Sequence, residues 1–302
     1  MSEAKFKNTG APYNILHASC ISVSYLVLSY FLIGFKPEQL FLVVVFDFLY
    51  LLSAATRRFI LGFSFFIAFW ILFDYMKAFP NYRYNTVHIE SLYNTEKSWF
   101  GIWQVNQKIT LNEYWRAHGK PFLDVLCGFF YLCWMPLPLL FAGYLYYRNR
   151  PQFFRFSSTF LLINIIGFII YYIYPAAPPW YVQLHGFQFR AHTPGNTAGL
   201  AKFDSYFNVF IFHGLYAKSS NVFAAMPSLH AAYPLLCVYY GLKNRIGYMT
   251  ILFALITAGI WFTAVYTSHH YVLDVLAGIA CAVAGILLFN TAAKRWRWFM
   301  VR

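Results

Sequence analysis

The chain has 302 residues, 60% of them hydrophobic and only 11% charged, with a formal net charge of +13 and a mean hydropathy of +0.50. A soluble domain of this length has no use for so much apolar surface, so a water-soluble enzyme is excluded. The basic excess does not indicate nucleic acid. It gathers at the ends of apolar runs, as Arg57-Arg58, Arg148/Arg150/Arg155, Lys243/Arg245 and Lys294/Arg295/Arg297, which is the pattern of membrane topology and anionic headgroups.

In chain order, the first 14 residues are polar and mixed, and no small-residue cleavage site follows the first apolar run. That run is read as a membrane anchor rather than a removable signal. A bilayer core of about 30 Å takes roughly 20 apolar residues per helix. Eight spans are expected on that measure, near 15–35, 39–56, 58–77, 122–147, 157–174, 228–242, 247–266 and 271–291. The sixth is short for a crossing. Pro136 and Pro138 fall inside the fourth and predict a kink. Two long segments, 78–121 and 175–227, break the pattern, and both carry the Trp, Tyr and Phe of a membrane-surface segment. Cys20, Cys127, Cys133, Cys237 and Cys281 all lie in apolar runs and read as small buried hydrophobes, with no CxxC and no zinc-like spacing. The expected fold is all-α: one membrane-embedded helical bundle over 1–302. Its N-terminal helices and outer loop occupy 1–121 and its catalytic core 122–302.

Charge sets the expected orientation. With the N-terminus in the cytoplasm, the inner segments hold Lys5, Lys7, Arg57, Arg58, Arg148, Arg150, Arg155, Lys243, Arg245, Lys294, Arg295, Arg297 and Arg302, which is 13 of the 23 Lys and Arg. Short outer segments hold little beyond Lys36. The positive-inside rule therefore places both termini inside and both long loops outside. The compact chain favours a bacterial inner membrane.

Two outer helix ends carry the residues that do chemistry. Ala225-Met226-Pro227-Ser228-Leu229-His230 opens the sixth span, and Tyr266-Thr267-Ser268-His269-His270-Tyr271-Val272-Leu273-Asp274 opens the eighth. Ionisable groups at membrane depth are costly and imply function. His270 and Asp274 are four apart, hence on one helix face. An Asp on one imidazole nitrogen fixes the tautomer and leaves the other nucleophilic. His230, at the same membrane level, suits a general acid and base. A lone interfacial histidine such as His269 is ordinarily just polar. A His-x-x-x-Asp pair alone can be a helix contact. A further histidine at the same depth on another span makes coincidence a poor account.

These motifs are similar to the second and third signatures of the type 2 phosphatidic acid phosphatase superfamily. The resemblance covers roughly 160–290. It implies that His270 is the nucleophile, Asp274 its partner, His230 the acid and base, and Ser228 a phosphate contact. The lipid phosphatases of that superfamily also carry an upstream Lys-x6-Arg-Pro and a Ser-Arg pair before the nucleophile. Neither is present, and Thr263-Ala264 stands in place of Ser-Arg. The upstream stretch reads Tyr174-Pro175-Ala176-Ala177-Pro178-Pro179-Trp180-Tyr181, which resembles the inositol phosphorylceramide synthase branch.

Physics agrees with the branch. A phosphate monoester is close to a dianion and suits several cationic clamps, whereas a phosphodiester carries a single charge. A site without Lys and Arg is expected to transfer a diester. The implied reaction moves phosphoinositol from a phosphatidylinositol-like donor to a ceramide-like acceptor through a phosphohistidine, with no metal and no cofactor. Further substrate contacts are expected from His269, Asp74, Arg83 and Tyr174. Other polar side chains of 78–121, among them His88, Glu90, Glu96 and Lys97, are candidates for the headgroup. The alternatives are a phosphatase acting on a lipid phosphate or polyprenyl diphosphate, and, from another class, a proton-coupled transporter. A metal held by His269, His270 and Asp274 is disfavoured because neighbouring side chains diverge by about 100° on a helix.

Overall fold

The computed structural model describes residues 11–217 and 221–300. Lys5, Lys7 and Arg302, used above to set orientation, lie outside the described residues. The chain divides into two compact units, one ending at Phe79 and the other beginning at Pro80.

The first unit holds α1 (Ala11–Ile33), α2 (Pro37–Leu52), α3 (Ala54–Gly62) and α4 (Ser64–Tyr75). Ser53 separates α2 from α3. Its hydroxyl accepts the Thr56 amide, and the Thr56 hydroxyl accepts the Ser53 amide, a reciprocal cap that starts α3. Asp47, which has no evident partner in the sequence, accepts the Ser22 hydroxyl at 2.7 Å. Asp74 is ion-paired with Lys77 at 2.6 Å and Lys36 at 3.9 Å.

The second unit opens with a short 3-10 turn at Asn81–Arg83 and α5 (Glu90–Phe100). A two-stranded antiparallel hairpin follows, β1 (Ile102–Gln104) with β2 (Gln107–Ile109), and then α6 (Leu111–Ala117). The bundle proper comprises α7 (Pro121–Leu132), α8 (Pro136–Arg148), α9 (Arg150–Ile173), α13 (Leu229–Lys243), α14 (Tyr248–Tyr266) and α15 (Val272–Met300). Between α9 and α13 lie the short helices α10 (Pro179–His185), α11 (Ala201–Phe207) and α12 (Ile211–Ala217). Proline sets the starts of α7, α8, α9 and α10, where its missing amide costs nothing. The kink expected from Pro136 is a full break at 133–135.

Among the described residues, five helices are long and apolar enough to cross a membrane. The pair α3 and α4, bent by 48°, adds a sixth if it is one span. The count of eight is not confirmed. The spans expected at 39–56 and 228–242 are helices of only 16 and 15 residues. Fifteen residues reach about 22 Å, short of a hydrocarbon core of about 30 Å.

Helix α13 packs on α8, α9, α14 and α15. Polar side chains deep in this packing satisfy one another: Tyr233 donates to Asn164, and the hydroxyls of Thr159 and Tyr240 meet at 3.0 Å. The entry to α13 lies directly on α15. The Ser228 amide donates to the Asp274 carbonyl at 2.9 Å, and a Cβ on Gly278 would stand 2.1 Å from the Ser228 carbonyl oxygen. The glycine is there because a backbone passes where a side chain would be. Gly278→Ala is therefore expected to push the two motifs apart. Thermal unfolding in detergent should show a loss of about 1–3 kcal/mol, with activity falling further than stability accounts for.

Candidate active site

The site forms where α13 begins and α14 turns into α15. The turn 267–270 is tied down by many elements. Trp180 donates its amide to the Ser268 carbonyl at 3.0 Å, and Gly199 donates to that of Thr267 at 2.9 Å. The Asn112 side-chain amide donates to the carbonyls of Val265 at 2.8 Å and His270 at 3.0 Å. The amides of His269 and His270 both donate to the Ala264 carbonyl. Both long segments of the sequence thus converge on one four-residue turn.

His270 is 6% exposed. Its Nδ1 lies 3.0 Å from the Ala225 carbonyl oxygen and 3.5 Å from Asp274 Oδ2. A carbonyl only accepts, so Nδ1 carries the proton and the lone pair is on Nε2. That Nε2 is 3.2 Å from Nδ1 of His230, which is therefore the donor. Asp274 is fully buried, and its Oδ2 also accepts the Tyr271 amide at 2.8 Å. The carbonyl, not the carboxylate, is the nearer partner of His270. Burial pulls the His270 pKa down to about 4, and the Ala225 bond opposes that shift in part.

The Ala225 carbonyl is held by a small parallel ladder. His88 pairs with Ala176, and Ala176 pairs with Ala224. The Ala225 amide donates to the Ala176 carbonyl, and the Ala177 amide to that of His88. Ala176 and Ala177 are almost wholly buried, so this stretch acts through its backbone.

Ser228 stands at the N-cap of α13, but its hydroxyl makes no cap bond. Its Oγ and Asp274 Oδ1 are buried without a hydrogen-bond partner among the described residues, beside the two histidines. None of the contacts made by His230, His270, Ser228 or Asp274 among the described residues comes from Lys or Arg. Ala264, where the phosphatases carry an arginine, is fully buried in the core.

The other expected contacts separate. His269 is buried between the rings of Tyr216, at 4.3 Å, and Tyr131, at 5.7 Å. Its Nε2 donates to the Thr197 carbonyl at 2.9 Å, so it anchors a loop. It diverges from His270, whose ring nitrogens face Ala225 and His230. Tyr174 lies flat on His88, centroids 3.8 Å apart. Arg83 is exposed. Asp74 belongs to the first unit. The sequence reading missed Trp134, set edge-on to His230 at 4.6 Å, and Tyr131, at 5.2 Å. The helix break before Pro136 was the available signal for Trp134. It also missed Asn112 and the Ala225 carbonyl, which carry no sequence signal.

The PAP2 superfamily profile matches residues 101–288. The chain is 42% identical over 281 residues to the phosphoinositol dihydroceramide synthase of Bacteroides thetaiotaomicron, covering 92% of each chain. The chain belongs to the PAP2 superfamily. It is also 29% identical over 160 residues to the inositol phosphorylceramide synthase of Candida albicans, covering 49% of this chain and 33% of that one. It is 32% identical over 120 residues to the inositol phosphorylceramide synthase catalytic subunit of Saccharomyces cerevisiae, covering 38% and 29%. No solved structure gives a significant match. Family membership and the apolar helices make this an integral membrane protein.

The tautomer assignment is testable without turnover. In histidine-labelled protein, 15N NMR should show His270 neutral with its proton on Nδ1 at pH 6, where a free imidazole is largely protonated. A resonance titrating near pH 6.5 would contradict the buried site.

Proposed function

We propose that this protein transfers a phosphoinositol headgroup from phosphatidylinositol to the primary hydroxyl of ceramide or dihydroceramide. One observation carries the reading: a neutral His270 presents its Nε2 lone pair to the Nδ1 proton of His230, in a site whose contacts among the described residues include no Lys or Arg. The relatives' names, a phosphoinositol dihydroceramide synthase and an inositol phosphorylceramide synthase, support the headgroup and the acceptor.

The steps follow from the geometry. His270 Nε2 attacks phosphorus, and the bond to diacylglycerol breaks. The departing oxygen takes the Nδ1 proton of His230, whose ring enters this step doubly protonated and leaves it neutral, ready to serve as the base of the second step. The phosphorylated ring is cationic. It keeps its Nδ1 bond to Ala225, and Asp274 stabilises its charge. Ser228 Oγ donates to a phosphoryl oxygen. Ceramide then enters, His230 Nδ1 takes its hydroxyl proton, and the alkoxide displaces His270. Trp134 and Tyr131 form an apolar wall for the lipid portion. The same reading puts the site on the outer, periplasmic or lumenal, face, with both termini in the cytoplasm.

Purified protein given labelled phosphatidylinositol and ceramide should form a new ceramide-dependent labelled lipid. His270→Ala is expected to lower that rate by roughly 10³-fold or more, and His230→Ala by about 10²–10⁴-fold. A chiral thiophosphate donor should give retention at phosphorus, the result of two in-line displacements. Free inositol phosphate without a ceramide product would make the protein a hydrolase instead.

A further inference from the structure

Glu96 lies on α5, before the region matched by the family profile, and is fully buried. It meets no basic side chain among the described residues. Its carboxylate instead accepts the amides of Val272 at 3.0 Å and Leu273 at 3.1 Å. These are the first two residues of α15, the helix that carries Asp274. With the Tyr271 amide on Asp274, three amides at this helix start are answered by two carboxylates. A buried carboxylate without a cation is expensive, and an apolar residue would fill the space more cheaply. Its partners here are backbone amides at the positive end of a helix dipole, which suit a full negative charge.

We propose that Glu96 is a positioning residue for the transfer. It caps α15 from a separate helix and so holds the turn that bears His270 in register with His230. Asn112 grips the same turn from α6, through the carbonyls of Val265 and His270. The outer segment before α7 is thus a clamp on the nucleophile. The inference rests on His270 as nucleophile, the reading given above.

The clamp has a pH signature. The Glu96 pKa is raised to about 7, chiefly by burial; the two amides oppose the rise and the nearby Asp274 adds to it. The titratable groups around this corner are Asp274, Tyr271, Tyr93 and Glu113. Tyr93 donates to Glu113, and its own pKa is pushed up to about 12, so neither tyrosine titrates in the working range. The ionised carboxylate accepts both amides. A protonated one turns one oxygen into a donor that faces an amide. The cap is intact above about pH 7 and weakens as pH falls through it. His270 stays neutral across this window, because its own pKa is near 4.

The test is kcat and KM from pH 5.5 to 8.5 for wild type, Glu96→Gln and Glu96→Asp, with folding checked by thermal unfolding. The wild-type kcat should fall on an acidic limb near pH 7. Glu96→Gln should lower kcat about tenfold at pH 8, leave KM unchanged and lose the limb, because a carboxamide accepts one amide and opposes the other. Glu96→Asp should restore part of the limb. A flat wild-type profile from pH 6 to 8 overturns the proposal even if no variant folds. So does a Glu96→Gln enzyme with normal kcat, or one changed in KM alone. A hydrolytic turnover with the same limb and the same loss in Glu96→Gln overturns the transferase reading and supports the clamp.

Discussion

The site depends on one hydrogen bond, from His270 Nδ1 to the Ala225 carbonyl. It decides which nitrogen carries the proton, hence which one keeps a free lone pair. It also orients the ring so that the free lone pair meets His230. A carbonyl is a dependable partner because it has no protonation state and only accepts. The carboxylate of Asp274 is then free for another task. It lies 3.5 Å away and accepts the Tyr271 amide instead.

A carbonyl is only as well placed as the backbone that holds it. Here that backbone is a ladder of three stretches, around His88, Ala176 and Ala224. None of them is near another in sequence. The paired alanines of the Tyr-Pro-Ala-Ala-Pro-Pro-Trp stretch are buried peptide planes, and Trp180, from the same stretch, holds the Ser268 carbonyl. Gly278 serves the same end by letting the Ser228 backbone lie on α15. The motifs combine a few reacting side chains with many positions whose work is done by main chain.

That division explains what was legible in the sequence. His230, His270 and Asp274 stood out because ionisable groups are rare in apolar runs, and the structure brings them together. The membrane bundle was legible from run length, but α13, at 15 residues, sits below any length criterion, and only its neighbours identify it. Asp74 and Arg83 looked like headgroup contacts because a polar residue near an interface looks the same whether it binds substrate or a neighbour. Asp74 is answered by two lysines. His269 was expected as a further substrate contact and is a stacked anchor. Glu96 was one acid among several in a loop. Its burial depends on residues 176 positions away, which no local pattern reveals.

Those separations also bear on how the protein is made. Asn112 reaches a carbonyl 158 residues downstream, and Glu96 an amide 176 residues downstream. Helix insertion proceeds from the N-terminus, so the earlier spans and the segments 78–121 and 175–227 are made before the last turn is synthesised. The catalytic geometry closes only when α15 arrives and takes up ligands that have waited since early in translation. Contacts this distant in sequence form late and slowly. A chain stalled before α15 would be membrane-inserted and largely helical, yet would have no assembled site.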